Sequence, residues 1–228
     1  MVSELAGDGR DGLEASSGRR DSEDLVQSER TVMPTTSRIE RIRDVAAARQ
    51  GGLTLVLEDV HDPHNAEAVF RSCDAFGVQD VHLIFDNEAP FDPRRVGKVT
   101  SASANKWLTF SSHGSIADCI KSLRAARYRL VAAVPSPQGE DLVEADLTAP
   151  RLALLFGNEH RGLSDTALEA ADMVLSIATV GMVRSLNLSV AAAVCLYEVT
   201  RQRNASGCNI GLSAAALSAL TGDWLDRA

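Results

Sequence analysis

The sequence predicts a single α/β domain whose mostly parallel sheet is covered by helices on both faces. Short apolar runs typical of buried strands alternate along the chain with segments whose apolar residues recur at helical spacing. This alternation is typical of successive βαβ units, in which helices join parallel strands. The length of 228 residues, 45% of them hydrophobic, is enough for one domain with its own core.

The strand and helix signals follow one another in a regular order. The predicted strands are the apolar runs 53–57, 81–85, 107–110, 128–134, 152–156 and 173–177. The predicted helices are 37–49, 65–76, 116–127, 164–171, 186–203 and 213–226. Asn65 and Ser164 are predicted as N-caps, because their side chains accept hydrogen bonds from the free N–H groups of a first turn. We expect 35–228 to form the domain, with the first and last helices as accessory elements.

Residues 1–34 differ in composition from the rest of the chain. They are rich in Gly, Ser, Asp and Arg, and they contain few large apolar residues. Eight acidic residues against four arginines within residues 1–30 account for half of the net charge of −8. Because such a segment cannot bury enough apolar surface to offset its ordering entropy, we expect a disordered acidic tail.

Composition also disfavours several classes of protein. The longest apolar run, 190–197, is far shorter than the roughly 20 residues that span a bilayer. No signal segment opens the chain, so we expect a soluble cytoplasmic protein. The four cysteines are Cys73, Cys119, Cys195 and Cys208. None of them belongs to a CxxC pair, and we therefore expect buried free thiols and no metal site.

Basic residues are concentrated in one part of this acidic chain. Between residues 93 and 139 the sequence has eight basic residues and one acidic residue, Asp118. The basic residues are Arg94, Arg95, Lys98, Lys106, Lys121, Arg124, Arg127 and Arg129. A local cationic surface is typical of nucleic-acid binding. The alternative, a merely solvated helix face, fits the 121–129 group equally well.

Polar segments follow three of the predicted strands. They are residues 58–65, 156–164 and 180–189, and each leads into a predicted helix. In α/β sheets, ligands bind beyond the carboxyl ends of the strands. Gly157 and Gly162 in the second segment permit tight backbone geometry close to a ligand. The alternative explanation for this segment is a plain turn, which its density of polar groups disfavours.

The third segment and the helix after the first segment supply further candidates. Ser185, Asn187 and Ser189 precede an apolar helix whose first N–H groups lack partners, a place that suits an anionic or polar ligand. Capping alone accounts for one of these three side chains. Arg71 points away from the apolar face of its helix. Its alternative role is a surface ion pair with Asp74 three residues later.

Three motifs in order resemble those of a known family. Residues 64–77 (HNAEAVFRSCDAFG), 155–162 (LFGNEHRG) and 181–193 (GMVRSLNLSVAAA) resemble the motifs of the SPOUT superfamily of RNA methyltransferases. The similarity is greatest to the TrmH branch, the tRNA guanosine-18 2′-O-methyltransferases. It implies methylation of a ribose 2′-hydroxyl in the tRNA D-loop, with S-adenosylmethionine as donor and S-adenosylhomocysteine as product. It also implies a C-terminal deep trefoil knot, a homodimer packed through the knotted region, and no metal.

The resemblance assigns roles to residues at the matching positions. The expected cofactor-binding residues are Ala133, Val134, Pro135, Gly157, Gly162, Ile177, Met182 and Leu186. The expected catalytic and ribose-binding residues are Arg71, Asn65, Glu159, Ser185 and Asn187. The ribose hydroxyl must lose its proton during attack on the methyl group. A guanidinium stays protonated in proteins, so we expect Arg71 to position the hydroxyl and a neighbouring phosphate.

Other functions remain open from the sequence. A ribosomal-RNA 2′-O-methyltransferase fits the same motifs, but such relatives often carry a folded N-terminal RNA-binding domain, and only about 50 residues precede the first strand here. A non-catalytic RNA-binding protein on the same scaffold leaves Asn65, Arg71 and Glu159 without a purpose. A small-molecule methyltransferase leaves the basic stretch unexplained.

Overall fold

The computed structural model describes residues 35–96, 104–136, 138–207 and 210–228. The predicted acidic tail, residues 1–34, lies outside these ranges, as do Lys98 and Cys208. The described residues form one structural unit.

In the described parts of the chain, seven strands form one sheet, and each neighbouring pair is parallel. The strands are β1 (Leu53–Glu58), β2 (Asp80–Ile84), β3 (Thr109–His113), β4 (Arg129–Ala133), β5 (Glu140–Asp141), β6 (Leu152–Phe156) and β7 (Met173–Ser176). Their spatial order is β3-β2-β1-β6-β4-β7-β5. In the centre of the sheet, Leu55 lies opposite Val81 on one side and Leu154 on the other. The predicted mostly parallel sheet is therefore confirmed.

Helices cover both faces of the sheet. They are α1 (Thr36–Ala47), α2 (Pro63–Ala75), α3 (Ala104–Trp107), α4 (Ile116–Ala125), α5 (Asp165–Ala170), α6 (Leu188–Ala205) and α7 (Ala214–Asp226). Successive side chains of a strand point to opposite faces. Leu55 accordingly packs in a core with Phe70 of α2 and Leu196 of α6. Val56 packs in a second core with Leu123 of α4, on the face that α5 also covers.

Several element boundaries differ from the prediction, and three of these differences have a clear cause. The N-cap of α2 is Asp62, whose carboxylate accepts from the His64 backbone N–H at 2.9 Å, so Asn65 lies inside the first turn. Helix α6 begins at Leu188, because Asn187 caps it. The third strand begins after Trp107, which ends the short helix α3. The predicted cap Ser164 does accept from the Ala167 N–H at 3.2 Å.

The cysteines among the described residues are buried free thiols, as predicted. Cys73, Cys119 and Cys195 are buried and free, and burial raises the pKa of each thiol to about 12.

Among the described helices, none combines the length and the apolar character needed to cross a membrane. The knot expected in the C-terminal half stays a prediction.

Candidate active site

Three loops at the carboxyl edge of the sheet surround one cavity. The loops follow β1, β6 and β7, and the end of β4 lies between the latter two strands. The cavity has a volume of about 670 Å³. It is lined by Asn65, residues 133–135 and 156–163, Leu168, residues 185–188 and Ala191. The fold thus brings the three polar segments of the sequence to one place, as expected for a ligand site of an α/β sheet.

Most of the expected cofactor-binding residues lie on this cavity. Six of them line it: Ala133, Val134, Pro135, Gly157, Gly162 and Leu186. Ile177 lines a smaller adjoining cavity of about 60 Å³, which shares its β4 wall with the larger one. Met182 lines neither cavity, and its side chain is fully exposed. Its expected role stays a prediction.

A chain of hydrogen bonds joins the three loops at the mouth of the cavity. The Asn65 amide Nδ2 donates to Glu159 Oε1 at 2.8 Å. The Asn187 amide Nδ2 donates to Asn65 Oδ1 at 3.0 Å, and Asn187 Oδ1 in turn accepts from the Ser189 N–H and hydroxyl. Each of the three motifs therefore contributes one side chain to a single connected network.

Glu159 is held as a carboxylate by this network. Partial burial by itself raises the pKa of Glu159, but hydrogen bonds from Asn65 and from the backbone of His61 and Asp62 outweigh it, so the pKa lies below its usual range. Oε2 accepts from the His61 N–H at 2.8 Å, and Oε1 accepts from the Asp62 N–H at 3.3 Å. An ionised group with its oxygens already occupied is suited to anchoring the loops rather than to proton transfer.

Asn158 shapes the loop after β6 and was not among the residues singled out from the sequence. Its buried amide donates to the Asp59 carbonyl at 2.7 Å. Its Oδ1 accepts from the backbone N–H groups of His160 and Arg161, at 2.8 and 3.0 Å. Gly157 is required beside it, since a Cβ there would lie 2.2 Å from the Gly162 carbonyl carbon. The position of Asn158 between Gly157 and Glu159 was the only signal in the sequence.

Asp59 is a second residue that the sequence analysis missed. Its φ of 51° lies in the left-handed region, which a non-glycine residue adopts at some energetic cost. Its carboxylate accepts from the backbone N–H groups of residues 86–88 and from the Asn87 amide. Burial raises the pKa of Asp59, but these hydrogen bonds lower the pKa by more than burial raises it, so the carboxyl group is ionised. Asp59 thereby attaches the loop after β2 to the end of β1.

Glu88, in the loop held by Asp59, contacts the rim of the cavity. Its carboxylate accepts from Arg161 at 2.8 Å and lies 3.2 Å from Nδ1 of His61. It also lies 3.3 Å from the Asn158 amide nitrogen. The rim is thus supported from outside by a loop that none of the three motifs contains.

Two expected catalytic residues differ in their placement. Ser185 is exposed and lines both cavities. Arg71 is exposed on α2 and lines neither of them. The alternative partner of Arg71, Asp74, instead forms an ion pair with the buried Arg49. Within the described parts of the chain, Arg71 therefore has neither this partner nor a place in the cavity.

Known proteins resemble this chain in sequence and in fold. Residues 52–197 match the model of the SpoU rRNA Methylase family. A tRNA (guanosine(18)-2′-O)-methyltransferase of Thermus thermophilus is 37% identical over 195 residues, which are 85% of this chain and 98% of the relative. The solved A. aeolicus TrmH/SpoU tRNA modifying enzyme superposes with a TM-score of 0.74 at 28% identity, over 84% of this chain and 96% of its own.

A further solved structure contains a ligand. The SpoU methyltransferase AviRb from Streptomyces viridochromogenes, in complex with AdoMet, superposes with a TM-score of 0.59 at 27% identity. The alignment covers 71% of this chain and 61% of that one. With a family model matched over most of the sheet and a relative aligned over nearly its full length, this chain belongs to the SpoU methylase family.

Proposed function

We propose that this protein transfers the methyl group of S-adenosylmethionine to a ribose 2′-hydroxyl of tRNA, and that its target is guanosine 18. The observation that carries the proposal is the network of Glu159, Asn65 and Asn187, which joins the three loops at the mouth of the cavity. The relative from Thermus thermophilus, with 37% identity, is named for this reaction at this nucleotide.

The cavity suits a cofactor of this kind. Its volume of about 670 Å³ lies within the usual range for small-molecule sites, roughly 300–1,000 Å³. Apolar side chains such as Val134 and Leu186 line it together with the polar groups of Asn65 and Asn187, which matches a ligand with an aromatic base and a polar amino-acid part. When bound, S-adenosylmethionine supplies the methyl group and leaves as S-adenosylhomocysteine.

The side chains at the mouth then position the ribose. Asn65 and Asn187 keep the loops at a fixed separation and have no proton to exchange at neutral pH. Ser185, which lines both cavities, has a hydroxyl that can donate to or accept from a bound ligand. Positioning is a large part of catalysis for a weak nucleophile, because a displacement of about 1 Å can cost roughly 100-fold in rate.

A second copy of the chain is part of the proposal. Among the described residues, seven large apolar side chains are exposed, and six of them lie between residues 180 and 197. We name these six the outer face: Val180, Met182, Val183, Val190, Val194 and Tyr197. A concentration of exposed apolar side chains in one stretch of chain is typical of a protein interface. A homodimer formed through the outer face buries it.

The dimer also gives Arg71 a role. Because Arg71 lies outside the cavity of its own chain, we propose that it acts at the cavity of the partner subunit. There its guanidinium would hold the ribose hydroxyl and a neighbouring phosphate. In an isologous dimer there would be two such sites, each formed by the cavity of one subunit and Arg71 of the other.

Exposed basic side chains are the proposed tRNA contacts. Arg38, Arg41 and Arg43 are exposed on α1, and Lys121 and Arg127 are exposed on and after α4. Other members of the basic stretch are engaged within the chain. Arg124 pairs with Asp172 at 2.6 Å, Arg129 donates to the Asp146 carbonyl, and Arg95 lies 3.1 Å from Asp92. Only part of the predicted cationic surface is therefore available for phosphates, and tRNA affinity should fall as salt increases.

The test is methylation of defined transcripts followed by mass mapping. We expect one methyl group on an unmodified tRNA transcript, located at guanosine 18. The matched control transcript carries 2′-deoxyguanosine at that position, which keeps the base but removes the acceptor hydroxyl, and it should remain unmethylated. Methylation of the control at another position would contradict the choice of nucleotide.

The second candidate is ribosomal RNA, which the description of the matched family favours. Fragments of ribosomal RNA assayed beside the tRNA transcripts separate the two substrates. Methyl transfer to ribosomal RNA alone would overturn the tRNA assignment while leaving the ribose chemistry in place. Absence of any S-adenosylmethionine binding would overturn both.

A further inference from the structure

A cluster of potential metal ligands lies away from the cavity, between the sheet edge and α4. It consists of His82 on β2, His113 on the neighbouring strand β3, and Cys119 on α4. The three ligand atoms lie within 4.8 Å of one another, and His82 Nδ1 is 2.9 Å from His113 Nε2. None of the three residues lines either of the two cavities described above.

We propose that His82, His113 and Cys119 form a binding site for a divalent transition-metal ion, Zn²⁺ in particular. Imidazole nitrogen and cysteine sulfur are the ligands that Zn²⁺ prefers in proteins. Three protein ligands leave the fourth tetrahedral position to water, a common arrangement for this ion. No metal site was expected from the sequence, because none of the cysteines belongs to a CxxC pair. The three ligands proposed here are 31 and 6 residues apart along the chain.

The geometry requires only a small adjustment. Tetrahedral zinc with bonds of about 2.0–2.1 Å to nitrogen and 2.3 Å to sulfur holds its ligand atoms about 3.3–3.6 Å apart. The two imidazole nitrogens are already nearer than that, and no separation among the three ligand atoms exceeds 4.8 Å, so the widest must close by no more than about 1.2 Å. We assign this adjustment to the side chain of His113, which is only partly buried and lies on the outermost strand.

The surroundings favour a cation. Asp118 and Glu58 act electrostatically on His113 and on Cys119, respectively. A cysteine thiol that coordinates a metal ion is deprotonated, and its proton is released to solvent. Bound metal would connect α4 to β2 and to the outermost strand β3, and it would stabilise the folded chain by mass action.

The experiment uses the full chain without a histidine tag. The protein is stripped with a chelator, dialysed against Zn²⁺, and its metal content measured by mass spectrometry, with Co²⁺ as a spectroscopic probe. We expect one equivalent per chain, a thiolate-to-cobalt charge-transfer band, and a higher unfolding temperature in the presence of Zn²⁺. His113→Asn should weaken binding by more than about 100-fold, since even outer-shell changes cost 10–100-fold.

His64→Asn is the matched control, because it removes an exposed histidine outside the cluster. It should bind Zn²⁺ as the parent does. Cys119→Ser should abolish the charge-transfer band, and circular dichroism shows whether this buried variant folds. The proposal is overturned if the parent binds no Zn²⁺ at micromolar concentration, or if His113→Asn binds it as tightly as the parent.

Discussion

The mouth of the cavity and the outer face both include residues of segment 180–197. They differ in whether their side chains find partners within the chain. At the mouth, Asn187 is bonded to Asn65 and Ser189 within the chain. On the outer face, Val180 and Met182 are fully exposed. The difference teaches that one chain is enough to fix the loops but leaves the outer face uncovered. In the proposed homodimer, the site is completed in two steps, by folding and then by association of two copies.

The largest effect is expected from Arg71→Ala. Methyl transfer to tRNA should fall by about 100-fold or more, because the ribose loses its positioning group. Binding of S-adenosylmethionine should be unchanged, since the proposed contacts of Arg71 are with the ribose hydroxyl and a phosphate and not with the cofactor. Single-turnover methylation and calorimetric titration of the cofactor measure the two effects separately. Full activity of the variant would refute the role of Arg71.

Mixed dimers test whether Arg71 acts across the interface. Alone, Arg71→Ala and Asn187→Ala are each expected to retain at most about a tenth of the parent activity. In a dimer with one variant subunit of each kind, an interface-spanning site contains the intact Asn187 of one chain and the intact Arg71 of the other. Random mixing should therefore restore about a quarter of the parent activity. Mixtures that stay inactive would place Arg71 and the cavity in the same chain.

The next effect is expected from Val194→Asp on the outer face. A buried unpaired carboxylate is costly, so the charge should prevent association of two copies. Val and Asp have similar helix propensities, and Val194 is 37% exposed, so the single chain should keep its fold. Analytical ultracentrifugation should show a monomer, with methyl transfer lost. Val143→Asp is the matched control, because Val143 is 74% exposed but lies outside the outer face.

Local patterns predicted most of the fold. The apolar runs that form β1 and β6 are almost fully buried strands, and burial of both faces is what makes such runs continuous. Parallel strands place their carboxyl ends at one edge, which is why segments far apart in sequence meet at the cavity. The strand β5 (Glu140–Asp141) was missed because two polar residues carry no periodic signal.

Long-range contacts explain the parts of the site that the sequence did not reveal. Asp62 and Asn65 are both good capping residues. The side chain of Asn65 is instead committed to Glu159, 94 residues later in the chain, and Asp62 caps the helix. Asp59 likewise acts on backbone groups 27 to 29 residues later. Neither choice follows from a local pattern, because each depends on which loops the finished sheet brings together.

A smaller effect is expected from breaking the network at the mouth. Asn65→Ala leaves Glu159 and Asn187 without their shared partner, so methyl transfer should fall by about 10-fold, and the free energy of unfolding by about 1 kcal/mol. Asn65→Asp should be worse, since it places a second carboxylate 2.8 Å from Glu159 in place of a donor. Urea denaturation and initial rates of methylation measure the two quantities. Equal behaviour of the two variants would show that the network contributes by packing alone.

The smallest effect concerns the acid side of the stability curve. The pKa of Glu159 is lowered in the folded chain from its usual value of 4.5, so the folded state binds fewer protons than the unfolded state as pH falls through this region. The resulting stabilisation is present above pH 4.5 and is lost as pH falls through the folded pKa. In Glu159→Gln this contribution is absent, so its unfolding free energy should fall less steeply below pH 4.5 than that of the parent. Parallel curves from urea denaturation at successive pH values would mean that the hydrogen bonds of Glu159 do not distinguish its charged form.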